Sequence, residues 1–134
     1  MGDGLTMIPW AKGRSLVWDF TVSDTLSSSH VHQTSQEVAK SAIKAEERKL
    51  SHYKQLATSG FIVMPVAAET LGSWGPMALS FIKDIGSRIK DVTGDKRATS
   101  HLFQRLSICI QRGNAASVMG TIPSGQQLND LFYL

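Results

Sequence analysis

The chain has 134 residues, a length that suits one domain with a modest hydrophobic core. Its composition, 42% hydrophobic and 19% charged, excludes a wholly disordered chain, and its single cysteine excludes a disulfide framework. The longest apolar run, residues 61–68, is too short to span a bilayer, so no membrane insertion is expected. The net charge of +3 is compatible with a nucleic-acid partner.

Hydrophobic periodicity and turn residues predict the element order strand, strand, helix, strand, helix, helix. The predicted ranges are 5–10, 15–23, 35–57, 61–68, 77–91 and 98–119. The first two strands flank a short turn containing Gly13, so they should pair as an antiparallel hairpin. Ser35 is expected to cap the first helix, and Gly60 to follow its end. The sequence therefore predicts a small α/β domain, with a sheet of at least three strands packed by three helices.

This domain is predicted to cover residues 1–123, and residues 124–134 are predicted to form a tail. Cys109, flanked by Ile108 and Ile110 in the last helix, is expected to be a small core residue. Residues 1–4 contain no basic segment followed by an apolar stretch, so no signal peptide is predicted and an intracellular location is expected.

Two aspartates fall on or beside the paired strands. Asp3 opens the first strand segment, and Asp19 lies within the apolar run 16–22. A buried carboxylate is costly unless it is paired or binds a cation. We expect Asp19 to be buried, with desolvation and repulsion from Asp3 raising its pKa in the absence of a metal. Two carboxylates that converge in this way are suited to metal-assisted phosphodiester cleavage.

One lysine of the first helix is predicted to face the sheet. At about 100° per residue, Lys49 projects within about 20° of Val38, on the stripe that also holds Ala42 and Ala45. Lys40, Lys44 and the other charged residues of this helix point mostly elsewhere. The alternative for Lys49 is a lysine at the rim of the apolar face that extends its ammonium into solvent.

The segments Asp3-Gly-Leu-Thr, Trp-Asp19-Phe-Thr21 and Lys49 followed by Tyr53 resemble the restriction-like endonuclease of the PD-(D/E)XK group. The pattern is most similar to the version at the C-terminal end of some non-LTR retrotransposon polyproteins. The resemblance implies a restriction-endonuclease-like fold and cleavage of DNA with Mg²⁺ or Mn²⁺. It also implies a nuclear location for a eukaryotic mobile element, and a cytoplasmic one otherwise.

The resemblance further implies a role for each matching side chain. Asp3 and Asp19 would hold the metal, with Glu69 at the end of the third strand as an accessory ligand. Lys49 would orient a water molecule or stabilise charge in the transition state, near Tyr53. Thr21 would hold a metal-bound water or mark the edge of the site. For Glu69, a solvated residue at the start of a helix is an equally good interpretation.

Three features depart from the pattern of that family. Gly2 precedes Asp3 where the family has proline, and Thr21 stands where the family usually has lysine. The chain begins at Met1, so the helix that normally precedes the first strand is absent. We therefore expect an N-terminally truncated piece of a reverse-transcriptase polyprotein, with weak or no activity on its own.

Basic residues on two helices are candidates for contacts with the phosphate backbone, which would make DNA binding sensitive to salt. They are Lys40, Lys44, Arg105 and Arg112. Solvated helix faces are the commoner explanation for such residues. Two other functions remain open, namely a non-catalytic nucleic-acid-binding or structural remnant of the nuclease, and an α/β module for protein interaction.

Overall fold

The computed structural model describes residues 3–26 and 38–120. In order, these residues form β1 (Gly4–Leu5), β2 (Leu16–Ser23), α1 (Lys40–His52), α2 (Lys54–Thr58), β3 (Ile62–Glu69), α3 (Pro76–Thr93) and α4 (Ala98–Met119). The predicted α/β class and element order are confirmed, except that the first predicted helix is interrupted at Tyr53 and continues as the short α2. Within the described residues, no helix is long and apolar enough to cross a membrane.

The described strands form one open, mixed sheet in the order β1-β2-β3. β1 pairs antiparallel with β2, as the predicted hairpin requires, and β2 pairs parallel with β3 from Leu16 opposite Ile62 to Ser23 opposite Glu69. The prediction of a strand over residues 5–10 is wrong beyond Leu5, where the chain bends. Pro9 lies in this part and has no N–H to donate to a strand ladder.

The boundaries of α1 differ from the prediction at the start of the helix. Val38 and Ala39 form a turn, and Ala39 has a left-handed backbone with φ of 61°. Within the described residues the helix therefore begins at Lys40, and the predicted cap, Ser35, lies outside them. Gly60 follows α2 with φ of +93°, a conformation that glycine adopts readily, so its predicted place after the helix end is confirmed.

Small side chains lie where α1 contacts the sheet. Ala42 and Ala45 of α1 form a buried cluster with Ala39 and with Ala67 of β3. Because alanine extends only one carbon from the backbone, this helix can lie close to β3. Val38 is 80% exposed, so the predicted apolar stripe is wrong at its first position.

Two buried glutamates hold the first turns of two helices. Oε1 of Glu69 accepts hydrogen bonds from the backbone N–H groups of Ser41 (2.9 Å) and Ala42 (3.2 Å) in α1. Glu46, within α1, accepts hydrogen bonds from the backbone N–H groups of Met77 (3.1 Å) and Ala78 (2.8 Å) in α3. The first N–H groups of a helix have no partner within the helix, and they carry partial positive charge. Each carboxylate therefore satisfies a helix start and ties it to another element.

The chain divides into two compact units, Met1–Ile85 and Gly86–Leu134. In the first unit, the rings of Trp10 and Phe81 contact each other with centroids 5.6 Å apart. In the second unit, Ile110 of α4 is buried but Cys109 is exposed, so the prediction that Cys109 is a core residue is wrong. Adjacent helix positions lie about 100° apart, so one can be covered while the next is not. The predicted tail lies outside the described residues, and the predicted domain boundary stays a prediction.

Glu46 gives the fold an expected pH dependence. Burial raises the pKa of Glu46 above the ordinary value of 4.5, although hydrogen bonds from the backbone of Ala78, Met77 and Ala67 oppose this shift. Folding therefore favours the protonated carboxyl. Its contribution to stability is fully present below pH 4.5 and is lost as the pH rises through the raised pKa of the folded state.

We expect the free energy of unfolding of the wild type, relative to Glu46→Gln, to decrease as the pH rises from 4 to 7. The glutamine side chain is neutral throughout, so it lacks this titration. Urea denaturation of both proteins at several pH values measures the difference. Glu47→Gln, at the neighbouring exposed position, is the control for loss of a charge from α1. A difference between wild type and Glu46→Gln that stays constant across this pH range would contradict the prediction.

Candidate active site

The register of the hairpin brings two carboxylates to facing positions. Gly4 lies opposite Trp18, and Leu5 lies opposite Val17, so the residue before β1, Asp3, lies opposite Asp19. Side chains directly opposite each other in an antiparallel pair share a face, with Cβ atoms about 4.5–5.5 Å apart. Oδ2 of Asp3 also accepts a hydrogen bond of 2.7 Å from the backbone N–H of Phe20, which holds this exposed carboxylate against β2.

Asp19 is buried on the inner face of the sheet. Only 7% of the residue is exposed, which confirms the predicted burial. Side chains alternate along a strand, so Val17 and Asp19 share one face and Trp18 and Phe20 share the other. Val17 and Asp19 are both buried, whereas Trp18 and Phe20 are both more than a third exposed. A carboxylate therefore occupies a position where the strand otherwise contributes to the core.

Lys49 reaches this carboxylate from α1. Its Nζ lies 2.8 Å from Oδ2 of Asp19, and about a third of its side chain is exposed. Oδ2 of Asp19 is itself buried, and both the hydrogen-bonding ammonium of Lys49 and its charge act on this carboxylate. The prediction that Lys49 faces the sheet is confirmed.

Tyr53 completes the group from one helical turn beyond Lys49. It caps the C-terminal end of α1, is buried, and packs the edge of its ring against His52 at a centroid distance of 4.8 Å. Its side chain hydrogen-bonds with Asp19. The structure therefore brings together Asp3, Asp19, Lys49 and Tyr53, four of the residues predicted for the site.

The partners of Asp19 shift its pKa in the direction opposite to the predicted one. Burial raises the pKa of Asp19, but the interactions with the Lys49 ammonium and the Tyr53 side chain outweigh burial, and the pKa lies below the ordinary 3.8. The prediction of a raised pKa is wrong, because it included no stabilising partner and because Asp3, expected to repel Asp19, instead lowers the pKa through a hydrogen bond. The same contact with Asp19 raises the pKa of Lys49 above 10.5, so Lys49 is a firmly protonated cation at neutral pH.

Tyr53 offers a spectroscopic test of this geometry. Its pKa is raised above the ordinary 10.0, first by the hydrogen bond with Asp19 and then by burial and by the charge of Asp19. We expect Asp19→Asn to bring the pKa of Tyr53 back toward 10.0, measured from the tyrosinate absorbance near 295 nm. A Tyr133→Phe background isolates the signal, since the chain has two tyrosines. A Tyr53 pKa unaffected by Asp19→Asn would contradict the contact.

Glu69, the predicted accessory ligand, lies elsewhere in the sheet. Asp19 pairs with Pro65 and Ser23 pairs with Glu69, so Glu69 lies four residues further along, about 13 Å at the usual strand rise. Its carboxylate holds the start of α1 and also accepts a hydrogen bond of 3.3 Å from the Thr25 hydroxyl. The structure thus gives Glu69 a structural role as an anchor for α1, neither a ligand beside Asp19 nor a solvated residue.

The other predicted residues do not join the four-residue group. Thr21 shares the face of Asp19 by alternation, two positions further along β2. Lys40 and Lys44 lie in the first turns of α1, with Lys40 about 13 Å along the helix from Lys49. In the second unit, Arg105 and Arg112 are exposed on α4. Their predicted contacts with nucleic acid stay predictions.

The sequence-based prediction missed Glu46. Three residues before Lys49, it ties α1 to the start of α3 and so fixes the helix that carries Lys49 and Tyr53. The sequence did contain a sign of this role, because Glu46 projects about 60° from Lys49 on the helix and therefore lies close to the buried stripe.

Among the described residues, no group of three or more Asp, Glu, His or Cys side chains could hold a metal. The candidate site therefore offers two carboxylates, Asp3 and Asp19.

No protein-family model matches this chain, and comparisons with curated proteins and with solved structures found no match either. A functional conclusion therefore depends on the geometry and chemistry of the four residues at the site.

Proposed function

We propose that Asp3, Asp19, Lys49 and Tyr53 form the active site of a metal-dependent DNA endonuclease. The observation that carries this proposal is the pair of facing carboxylates, one of them buried and in contact with a lysine. Like charges directly opposite each other in a sheet are destabilising, and a buried charge is costly. One lysine balances only one of the two negative charges. A divalent cation would balance the remaining negative charge, which would explain why a second carboxylate lies opposite Asp19.

The available donors fit magnesium or manganese. Mg²⁺ binds through one or two carboxylates and keeps several waters, or takes oxygens from a substrate phosphate. Asp3 and Asp19 supply that number of carboxylates, and the buried Oδ2 of Asp19 has Lys49 as a partner that a metal ion could replace. Asp3 is exposed, so the ion and a phosphate group can approach from its side of the site.

The reaction is hydrolysis of a phosphodiester bond. A water oxygen attacks phosphorus and releases a proton, the bond from phosphorus to one ester oxygen breaks, and that leaving oxygen takes up a proton. When bound, a divalent ion supplies a water of lowered pKa and polarises the phosphate. Protonated Lys49 cannot act as a base, so its role is to stabilise negative charge on the phosphoryl oxygens. The hydroxyl of Tyr53 donates a hydrogen bond to Asp19 and so orients the carboxylate.

The resemblance to the PD-(D/E)XK group supports the same proposal. It requires an acidic residue at the start of one strand, a second in the next strand, and a lysine near a tyrosine on the following helix. Asp3 lies directly before β1, Asp19 in β2, Lys49 in α1 and Tyr53 at the C-terminal end of α1. Origin in a retroelement polyprotein, a restriction-endonuclease-like fold and a nuclear location in a eukaryotic host are part of this proposal.

A second candidate is a non-catalytic, nucleic-acid-binding remnant of such a nuclease. The observation that favours it is the direct contact between Lys49 and Asp19, which is also what a purely structural ion pair would show. Thr21, at the position where the family usually has its lysine, is consistent with lost activity. In this case the exposed Arg105 and Arg112 would contact phosphates, and binding would weaken steeply as salt rises.

The test is nicking of a supercoiled plasmid in Mn²⁺ or Mg²⁺, with EDTA as the metal-free control. Nicking that needs the metal and is lost in Asp19→Asn would support the endonuclease. Equal nicking by wild type and Asp19→Asn would identify contamination and overturn the proposed site. No nicking by the wild type, together with salt-sensitive DNA binding, would favour the non-catalytic remnant.

A further inference from the structure

The position of Lys49 has a consequence for metal binding. Its Nζ is 2.8 Å from Oδ2 of Asp19, and this oxygen is buried. A Mg²⁺ ion would lie about 2.1 Å from a carboxylate oxygen. An enclosed oxygen has little room for two cations at such distances, and their charges would repel each other. The ammonium of Lys49 therefore occupies the space beside Oδ2 of Asp19 that a coordinated metal ion would need.

We propose that Lys49 is an internal counter-ion that competes with the metal for Asp19. This inference rests on the proposed function and concerns the regulation of the same site. In the free protein, Lys49 neutralises the buried carboxylate. When a divalent ion binds Asp3 and Asp19, the ammonium moves from Asp19 to an oxygen of the substrate phosphate.

The structure permits this exchange. Lys49 is about a third exposed, and lysine carries its charge on a flexible stem of four carbons. The contact of 2.8 Å with Lys49 is the interaction of Oδ2 of Asp19 that breaks when the partner changes. A phosphate that accepts the displaced ammonium would favour metal binding, and by linkage the metal would favour the phosphate. The competition would thus limit metal binding in the absence of substrate.

The experiment measures Mn²⁺ binding without DNA, by isothermal titration calorimetry or by the loss of the free Mn²⁺ signal in electron paramagnetic resonance. The proteins are wild type, Lys49→Met, Lys49→Arg and Asp19→Asn. Lys83→Met, at an exposed position of α3, is the matched control for loss of one positive charge. We expect Lys49→Met to bind Mn²⁺ about tenfold more tightly than wild type, because the ion no longer competes with the ammonium for the carboxylate. Lys49→Arg keeps the charge and should show no such gain, and Lys83→Met should match the wild type.

The outcomes separate this inference from the proposed function. Binding by wild type that is lost in Asp19→Asn but unchanged or weakened in Lys49→Met would overturn the competition and leave the metal site intact. Binding by neither wild type nor Lys49→Met would overturn both. Circular dichroism checks the fold of each variant. Lys49→Gln repeats the measurement with a polar side chain at this partly exposed position if the methionine variant does not fold.

Discussion

We expect Asp19→Asn to lower the rate of Mn²⁺-dependent plasmid nicking on the order of 100-fold, comparable with the loss of a major electrostatic contact at an active site. Asparagine keeps the size of the side chain but removes the negative charge that holds the metal and pairs with Lys49. Because Lys49 is about a third exposed, water can solvate its ammonium once the partner is lost. The variant should therefore fold, and the effect should fall on activity.

Asp3→Asn should give a loss in the same direction, since Asp3 lies opposite Asp19 in the hairpin. Asp91→Asn, at an exposed position in α3, is the matched control and should nick like the wild type. Initial rates from the fraction of relaxed plasmid, with stability checked by urea denaturation, measure the effect. Full activity in Asp19→Asn, or an equal loss in Asp91→Asn, would contradict the assignment of the site.

We expect Gly75→Ala to lower the free energy of unfolding by about 2–4 kcal/mol, through overpacking and broken buried hydrogen bonds. A Cβ at Gly75 would overlap the carboxylate of Glu46. That carboxylate cannot move away freely, because it accepts hydrogen bonds from the backbone N–H groups of Met77 and Ala78. Either the clash persists or the start of α3 loses its partner.

Gly113→Ala is the control, since a Cβ at Gly113 in α4 would meet no atom within 4 Å. This variant should be about 0.5–1 kcal/mol more stable than wild type, from helix propensity alone. Adding Gly75→Ala to Glu46→Ala should cost much less than adding it to the wild type, because the overlapping carboxylate is gone. Urea denaturation of the wild type, the two single variants Gly75→Ala and Glu46→Ala, and the double variant measures this coupling. Additive effects of the two substitutions would show that Gly75 and Glu46 do not interact as described.

Part of the fold and of the site follows from local sequence patterns. The run around Asp19 is rich in β-branched and aromatic residues, and it forms the predicted strand with the carboxylate buried. The predicted range of the last helix, 98–119, matches Ala98–Met119. Helical periodicity predicted that Lys49 faces the sheet, and in the structure it contacts Asp19. Such patterns predict these features because side-chain direction along a strand or helix is set by the backbone repeat.

Only the tertiary structure assigned the partners of the buried acids. Glu69 and Glu46 hold the starts of helices that lie 27 or more positions away in the chain, a pairing with no local signal. The pKa of Asp19 is lowered because Lys49 and Tyr53 both reach it, whereas the strand alone implied desolvation. The sequence thus predicted that Asp19 is buried and that Lys49 faces the sheet. The packing of α1 on the sheet decided which charges meet, because electrostatic interaction depends on distances between residues far apart in the chain.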